Sequence, residues 1–186
     1  MSRKLAKRWI SADEYERMGS AGIFPPGVRL ELIEGEIYEM SPIGSPHAAC
    51  VDALTHLFSE ASKRRFIVRV QNPIRLNDFS EPQPDLTLLR WREDFYRGAH
   101  PTPADVLLVV EVADTTVVTD RTIKAPLYAR AGVAEVWLVN VPDERVEIYT
   151  DPSGEAYQTV AQFGRGENVK SPTVSGLAVS VDELFG

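Results

Sequence analysis

Apolar and polar residues alternate in several short stretches of the chain, a pattern that predicts half-buried β-strands. Residues 28–40 form two such stretches on either side of Glu34-Gly35, which predicts a hairpin with a tight turn. Further strands are predicted at residues 66–70, 74–76, 84–91, 106–112, 135–141 and 145–150, with shorter strand-like pieces from residue 157 onward.

Helical patterns lie between these strands. Ser11 and Glu14 are spaced as a capping box, which predicts a short helix over residues 12–18. A longer helix is predicted with Ser45 as its N-cap and Pro46 at its first position, and its apolar stripe faces the core.

A third helix is predicted between the strands at residues 106–112 and 135–141. Thr119 or Asp120 can cap this helix, which continues to Ala131 and ends at Gly132. The order of helices and strands predicts an α/β (α+β) fold, a mixed sheet flanked by helices.

The composition is that of one folded domain spanning residues 1–186. Hydrophobic residues make up 44% and charged residues 25% of the chain, close to the average for globular proteins. The longest apolar run, residues 106–112, is far shorter than the roughly 20 residues that cross a bilayer. The N-terminal segment lacks the apolar stretch of a signal peptide, so we expect a cytoplasmic protein without membrane contact.

The charge balance narrows the choice of partners. The net charge is −7, with 20 Lys and Arg against 27 Asp and Glu, which argues against a structural DNA-binding protein. An enzyme that acts on DNA is compatible with this charge because its metal site needs acidic residues. A basic strip at residues 63–69 could hold phosphates, but a solvated helix end is the simpler interpretation.

Glu111 interrupts the most apolar predicted strand. In strand order its side chain shares a face with Val109 and Ala113. An unpaired buried carboxylate costs several kcal/mol or takes up a proton, so the pattern predicts a partner for Glu111, either a lysine, a metal ion or both.

Other positions supply candidate chemistry near that strand. Glu31 lies beside apolar neighbours in the predicted hairpin, and Asp85 begins the strand before that of Glu111. Two carboxylates from adjacent strands and a main-chain carbonyl, for example that of Val112, suit Mg²⁺. His47 lies in the first turn of the long helix, where a surface or hydrogen-bonded histidine is a simpler interpretation than a ligand.

Several motifs together resemble those of a known family. They are ELIEGEIYEMSP from residue 31, PHAACV from residue 46, QPDLTLL from residue 83, LLVVEVADTT from residue 107 and DRTIKAPLYARAGVAEVWLVN from residue 120. Over residues 11–150 the chain resembles the bacterial Uma-type family of proposed restriction endonucleases, a branch of the PD-(D/E)XK nuclease superfamily. The resemblance implies a restriction-endonuclease-like fold, a homodimer, and cleavage of DNA with Mg²⁺, for which Mn²⁺ can substitute.

The resemblance also implies roles for individual residues. Asp85 and Glu111 are implied to be metal ligands, Glu31 an additional acidic site residue, and Lys124 the catalytic lysine. The superfamily's lysine usually stands two residues after the acidic one, where this chain has Ala113. Lys124 therefore looks like a migrated lysine that reaches back from the following helix.

Some alternatives remain open at this stage. Arg121, on the same helix as Lys124, could supply the cation instead. The chain could also keep the fold without catalysis, as a nucleic-acid or protein binding module. A sugar hydrolase that uses Glu31 and Glu111 as an acid/base pair is less favoured because no aromatic platform lies near them, and no G-x-S-x-G motif indicates a serine hydrolase.

Overall fold

The structure is a computed structural model that describes residues 6–186. Its N-terminal part is a helix followed by a hairpin. The elements are α1 (Ala12–Ser20), β1 (Leu30–Ile33) and β2 (Glu36–Glu39). The predicted capping box is present, since Ser11 Oγ accepts a hydrogen bond from the Glu14 N–H at 3.2 Å and the Glu14 carboxylate accepts one from the Ser11 N–H. Glu34 and Gly35 both have positive φ, 50° and 78°, as the predicted tight turn requires.

Two sequence predictions in the next segment are wrong in detail. Helix α2 (Ser45–Ser62) has Gly44 rather than Ser45 as its N-cap, and no side chain caps it. Residues 74–76 do not form a strand. Their backbone N–H groups instead bond to loop carbonyls, for example Arg75 N to Pro101 O at 2.8 Å.

A six-stranded mixed sheet forms the centre of the fold. Its strands, in spatial and chain order, are β3 (Phe66–Val70), β4 (Leu86–Arg90), β5 (Val106–Ala113), β6 (Glu135–Asn140), β7 (Arg145–Ser153) and β8 (Ala156–Phe163). Strands β5 and β6 pair in parallel, whereas the other neighbours pair antiparallel. This mixed sheet flanked by helices confirms the predicted fold class.

The parallel pair needs a crossover, because parallel neighbours cannot be joined by a hairpin. The crossover consists of α3 (Val117–Thr119), a π-helical stretch (Asp120–Lys124) and α4 (Ala125–Arg130). The predicted cap at Thr119 or Asp120 is wrong, since the helical backbone already begins at Val117. Gly132, with φ 76°, follows the last helical turn, in agreement with the predicted end.

Apolar side chains cover both faces of the sheet. One face packs against α2, where Phe58 of the helix contacts Trp137 of β6 with ring centroids 5.8 Å apart. The other face packs against α4, and this second cluster contains Val109 of β5 and Tyr128 of α4. The remaining elements are a 3-10 helix (Pro103–Asp105), β9 (Asn168–Lys170), β10 (Ala178–Ser180) and α5 (Val181–Phe185). Among the helices of residues 6–186, none has the length and apolar character needed to span a membrane.

Candidate functional site

The pairing of β4 and β5 brings Asp85 and Glu111 together. Leu86 pairs with Val110 in the antiparallel register, so the next positions outward, Asp85 and Glu111, lie opposite each other. Opposite residues of an antiparallel pair share a face of the sheet. Both side chains are almost fully buried, with 6% and 4% exposure.

The Asp85 carboxylate is held by several donors. Its Oδ2 accepts a hydrogen bond from the Val112 N–H at 2.9 Å, and Nε2 of His47 lies 3.0 Å from the same oxygen. Its Oδ1 accepts from Gln71 Nε2 at 3.2 Å. Burial raises the pKa of Asp85, but the contacts with His47, Val112 and Gln71 outweigh it, so the net pKa is lowered. Asp85 is therefore ionised at neutral pH.

Glu111 has fewer partners. Tyr128 Oη donates to Oε1 of Glu111 at 2.5 Å, and Nζ of Lys124 lies 3.3 Å from the same oxygen. Burial raises the pKa of Glu111 to about 8, although the nearby Lys124 lowers it. In the absence of a further cation this carboxyl holds a proton at neutral pH.

Lys124 lies between two of the predicted acidic residues. Its Nζ is 3.2 Å from Oε2 of Glu31 and 3.3 Å from Oε1 of Glu111. Glu31 Oε2 also accepts from the backbone N–H of Gln83 at 3.3 Å. Burial lowers the pKa of Lys124, but Glu111 and Glu31 outweigh it and raise the pKa above the usual lysine range. The lysine is therefore a cation in this arrangement.

Asp120 adds a further buried carboxylate, with 6% exposure. It begins the π-helical stretch that ends at Lys124, and its Oδ2 accepts from Thr116 Oγ1 at 2.6 Å. Burial raises the pKa of Asp120 and Lys124 lowers it, with a net increase. The sequence predicts Asp120 only as a candidate helix cap.

These side chains line one cleft with a volume of about 450 Å³. The cleft is lined by every residue predicted for the site, and His47 and Asp120 are among its further lining residues. Its ionisable lining includes Arg29, Glu31, Glu39, His47, Asp85, Glu111, Asp114, Asp120 and Lys124. Acidic groups outnumber basic ones, which makes the cleft an electrostatically favourable place for a cation.

The donor set of the cleft fits Mg²⁺. This ion prefers oxygen ligands, keeps several waters and binds through one or two carboxylates, which Asp85 and Glu111 provide on one face of the sheet. The Nδ1 atom of His47 is buried without a hydrogen-bond partner, so the cleft also has an unused polar atom near Asp85. The carbonyl of Val112 stays a predicted ligand.

Arg121 does not lie in this group of side chains. Its Nε donates to Glu147 Oε2 at 3.1 Å, and its second bond joins Nη2 to Oε1 of the same carboxylate. Within the described chain Lys124, and not Arg121, is the cation in contact with Glu111. The basic strip at residues 63–69 also has a structural role, because Arg65 donates hydrogen bonds to the carbonyls of Ala61 and Ser175.

Sequence reasoning missed three contacts in the cleft. Gln71 and Tyr128 donate to the two predicted metal ligands, and His47 contacts Asp85. Tyr128 stands four residues after Lys124, so its position on the same side of a helix was a readable signal. Gln71 and His47 lie far from their partners in sequence, and only the folded chain brings them together.

The arrangement of sheet and helices is also found in a solved structure. A crystal structure described as a "putative nuclease belonging to DUF820" from Anabaena variabilis ATCC 29413 is similar to this chain with a TM-score of 0.71. The alignment covers 95% of this chain and 97% of that one at 19% identity. This likeness concerns the fold. A search of curated proteins gives no match.

A family profile matches most of the sequence. The profile of the Uma2 family, described as "Putative restriction endonuclease", matches residues 12–182. The chain belongs to this family. The match confirms the resemblance on which the implied site rests, whereas the roles of Glu31, Asp85, Glu111 and Lys124 stay predictions.

Proposed function

We propose that the chain is a Mg²⁺-dependent endonuclease that hydrolyses phosphodiester bonds in DNA. The observation that carries the proposal is the cleft in which the buried carboxylates of Glu31, Asp85, Glu111 and Asp120 surround the single buried ammonium of Lys124. Such an excess of buried negative charge calls for a further cation or for protons. The family supports a nuclease, and its description as a restriction endonuclease supports DNA as the substrate.

Asp85 and Glu111 would hold the metal ion, with the carbonyl of Val112 as a third protein ligand. When bound, Mg²⁺ or Mn²⁺ lowers the pKa of a water molecule and offsets negative charge on the phosphodiester. Asp85 is suited to this role because its lowered pKa keeps it ionised. Glu111 would lose its proton when a cation is present, because an adjacent positive charge favours the ionised carboxylate.

Lys124 would act as a fixed positive charge. The carboxylates beside it raise its pKa and favour the protonated amine over the unprotonated amine that a general base requires. Its Nζ can instead donate hydrogen bonds to the attacking water or to the phosphate as charge develops there. Glu31 contacts Nζ at 3.2 Å and thereby positions the lysine.

His47 and Tyr128 would position the two metal ligands. Tyr128 donates to one oxygen of Glu111, and His47 contacts one oxygen of Asp85. Contacts of this kind orient metal ligands, and their loss typically lowers metal affinity or activity about 10–100-fold.

Plasmid cleavage by the purified full chain tests the proposal. We expect Mg²⁺ or Mn²⁺ to support nicking of supercoiled DNA and EDTA to stop it. Asp85→Asn and Lys124→Met should each lower the rate at least about 10²-fold, because each removes a charge that stabilises the transition state. Lys170→Met is the matched control, since Lys170 is exposed on β9.

The same experiment separates an enzyme from a binding module. A folded wild-type chain that cuts no form of DNA or RNA with either metal contradicts the proposal, and DNA binding that persists in such a chain favours the module. Cleavage of RNA alone would contradict the proposed substrate.

We also infer a homodimer, in which a two-fold axis would present two clefts to the two strands of a duplex. Exposed apolar side chains near the cleft, Ile43, Val118 and Ile123, are consistent with a contact surface in this region. Sedimentation equilibrium tests this inference, and a monomer at micromolar concentration would contradict it.

A further inference from the structure

A second group of potential metal ligands lies outside the cleft. It consists of Glu16 on α1, Glu81 in the segment before β4, and His100 in the loop before β5. One ligand atom from each side chain lies within 4.8 Å of the other two. Within residues 6–186 no other group of three His, Cys, Asp or Glu side chains converges this closely.

Glu81 is the unusual member of this group. Its side chain is buried, with the residue 3% exposed, and its Oε2 has no hydrogen-bond partner. Its Oε1 lies 3.9 Å from Nε2 of His100. A buried carboxylate oxygen without a donor is expensive, so this oxygen indicates a missing partner.

Glu16 increases the need for that partner. A carboxylate oxygen of Glu16 lies within 4.8 Å of one of Glu81. Two neighbouring carboxylates cannot both be ionised at low cost without a cation between them. The pair must therefore share a proton or bind a positive ion.

Two arginine side chains lie near this group, Arg69, whose Nη1 is buried without a hydrogen-bond partner, and Arg75. Arg75 forms an ion pair with Asp13 at 2.7 Å, and its other Nη lies 3.6 Å from Asp78.

We propose that Glu16, Glu81 and His100 form a binding site for a divalent transition-metal ion such as Zn²⁺, separate from the catalytic cleft. An imidazole nitrogen together with carboxylates is a donor set for Zn²⁺ and similar ions, whereas Mg²⁺ prefers oxygen ligands alone. Glu16 is exposed, so its flexible side chain can adjust to the ion while the buried Glu81 fixes the site.

The ion would connect three segments that are distant in sequence. Glu81 is already anchored to β1, because its N–H donates to Leu32 O at 2.8 Å and Leu32 N donates back to Glu81 O at 3.3 Å. Leu32 follows Glu31, the residue that contacts Lys124. A metal ion here would tie α1 and the loop before β5 to the strand that carries part of the cleft. Its role would be structural.

Zinc binding to the untagged full chain tests the proposal in a background of Asp85→Asn and Glu111→Gln, which removes the predicted ligands of the cleft. Equilibrium dialysis should give one Zn²⁺ per chain, and Mg²⁺ in excess should not displace it. At free Zn²⁺ about 100 times its Kd, the Tm should rise by roughly 5–10 °C.

His100→Gln and Glu81→Gln should each weaken Zn²⁺ binding at least about tenfold and abolish the Tm shift. His100 is partly exposed, so His100→Gln gives a result even if Glu81→Gln does not fold. The matched control is His56→Gln, which removes an exposed histidine beside Glu60. Absence of bound Zn²⁺, or binding that neither ligand variant weakens, would overturn the proposal.

Discussion

Glu111 and Glu135 are both buried carboxylates on adjacent strands of the central sheet, yet their surroundings differ. Glu135 is fully buried, and it accepts hydrogen bonds from Trp137 Nε1 at 2.6 Å, Ser171 Oγ at 2.7 Å and the Thr173 N–H at 3.1 Å. Thr173 Oγ1 donates as well. Glu111 accepts one bond from Tyr128 and shares Lys124 with Glu31.

The difference separates a structural carboxylate from a candidate functional one. Three neutral side-chain donors and one backbone N–H satisfy Glu135 without any cation. Glu111 lines a cleft, and the two contacts that it makes there, with Tyr128 and Lys124, both involve its Oε1. Burial of a carboxylate alone therefore does not indicate a metal site, whereas burial together with few donors and an adjacent cleft does.

The largest expected effect comes from matched amide substitutions at these two positions. Glu111→Gln should lower DNA cleavage at least about 10²-fold while changing the free energy of unfolding little, because the amide still accepts from Tyr128. Glu135→Gln should lower the free energy of unfolding by about 2–3 kcal/mol, since its NH₂ would face donors in a buried site. Plasmid nicking and guanidinium denaturation measure the two effects.

Each variant serves as the control for the other. The assignment of a structural role to Glu135 and a functional role to Glu111 is contradicted if folded Glu135→Gln loses cleavage as severely as Glu111→Gln. It is also contradicted if the two variants lose equal stability.

The next effect concerns pH in metal-free protein. The pKa of Glu111 is raised by burial from 4.5 to about 8, so between these values the folded state holds a proton that the unfolded state has lost. This contribution to stability is complete below pH 4.5 and disappears as the pH rises through 8. It amounts to at most about 1.4 kcal/mol per pH unit.

Urea denaturation in EDTA at pH 5.5, 6.5 and 7.5 measures this dependence for wild type and Glu111→Gln. The wild type should lose stability with rising pH relative to the variant. Parallel pH profiles for the two proteins would show that Glu111 is not protonated in the folded state.

The smallest effect distinguishes Arg121 from Lys124. Burial raises the pKa of Glu147, but hydrogen bonds from Arg121 and Tyr149 outweigh it and lower the net pKa. The resulting stabilisation is present above pH 4.5 and is lost as the pH falls through the lower folded value. Because Arg121 is 41% exposed, Arg121→Gln should cost only about 1 kcal/mol at pH 7.

Cleavage by Arg121→Gln should stay near the wild-type rate, whereas Lys124→Met loses it. Arg17→Gln, at an exposed position, controls for the lost charge. A cleavage defect in Arg121→Gln comparable to that of Lys124→Met would restore Arg121 as the alternative cation.

Local patterns in the sequence were sufficient for most of the fold. Alternation located the hairpin and the next five strands, β3 to β7, and the capping box located α1. The strand predicted at residues 74–76 is wrong because those apolar side chains are buried by loop packing, which alternation over three residues cannot distinguish from a sheet. The π-helical stretch was missed because residue types alone do not signal it.

The candidate site was predictable only where a strand pattern or a family motif marked it. Glu111 is recognisable because it interrupts an apolar strand. Glu135 also lies in an apolar strand, so this pattern alone does not distinguish the two residues. The donors that satisfy Glu135 include Ser171 and Thr173, which are distant in sequence. The contact between His47 and Asp85 and the convergence of Glu16, Glu81 and His100 depend on long-range packing. Side chains from separate segments cannot be placed together without the folded chain.

The parallel pairing of β5 and β6 has a mechanical consequence for the site. Asp85 and Glu111 are fixed relative to each other by the hydrogen bonds of the sheet, whereas Lys124 belongs to the crossover between β5 and β6. A shift of the crossover would move the ammonium toward or away from Glu111 without breaking any strand pair. The positions of the lysine and of the two carboxylates are thus separate degrees of freedom in this fold.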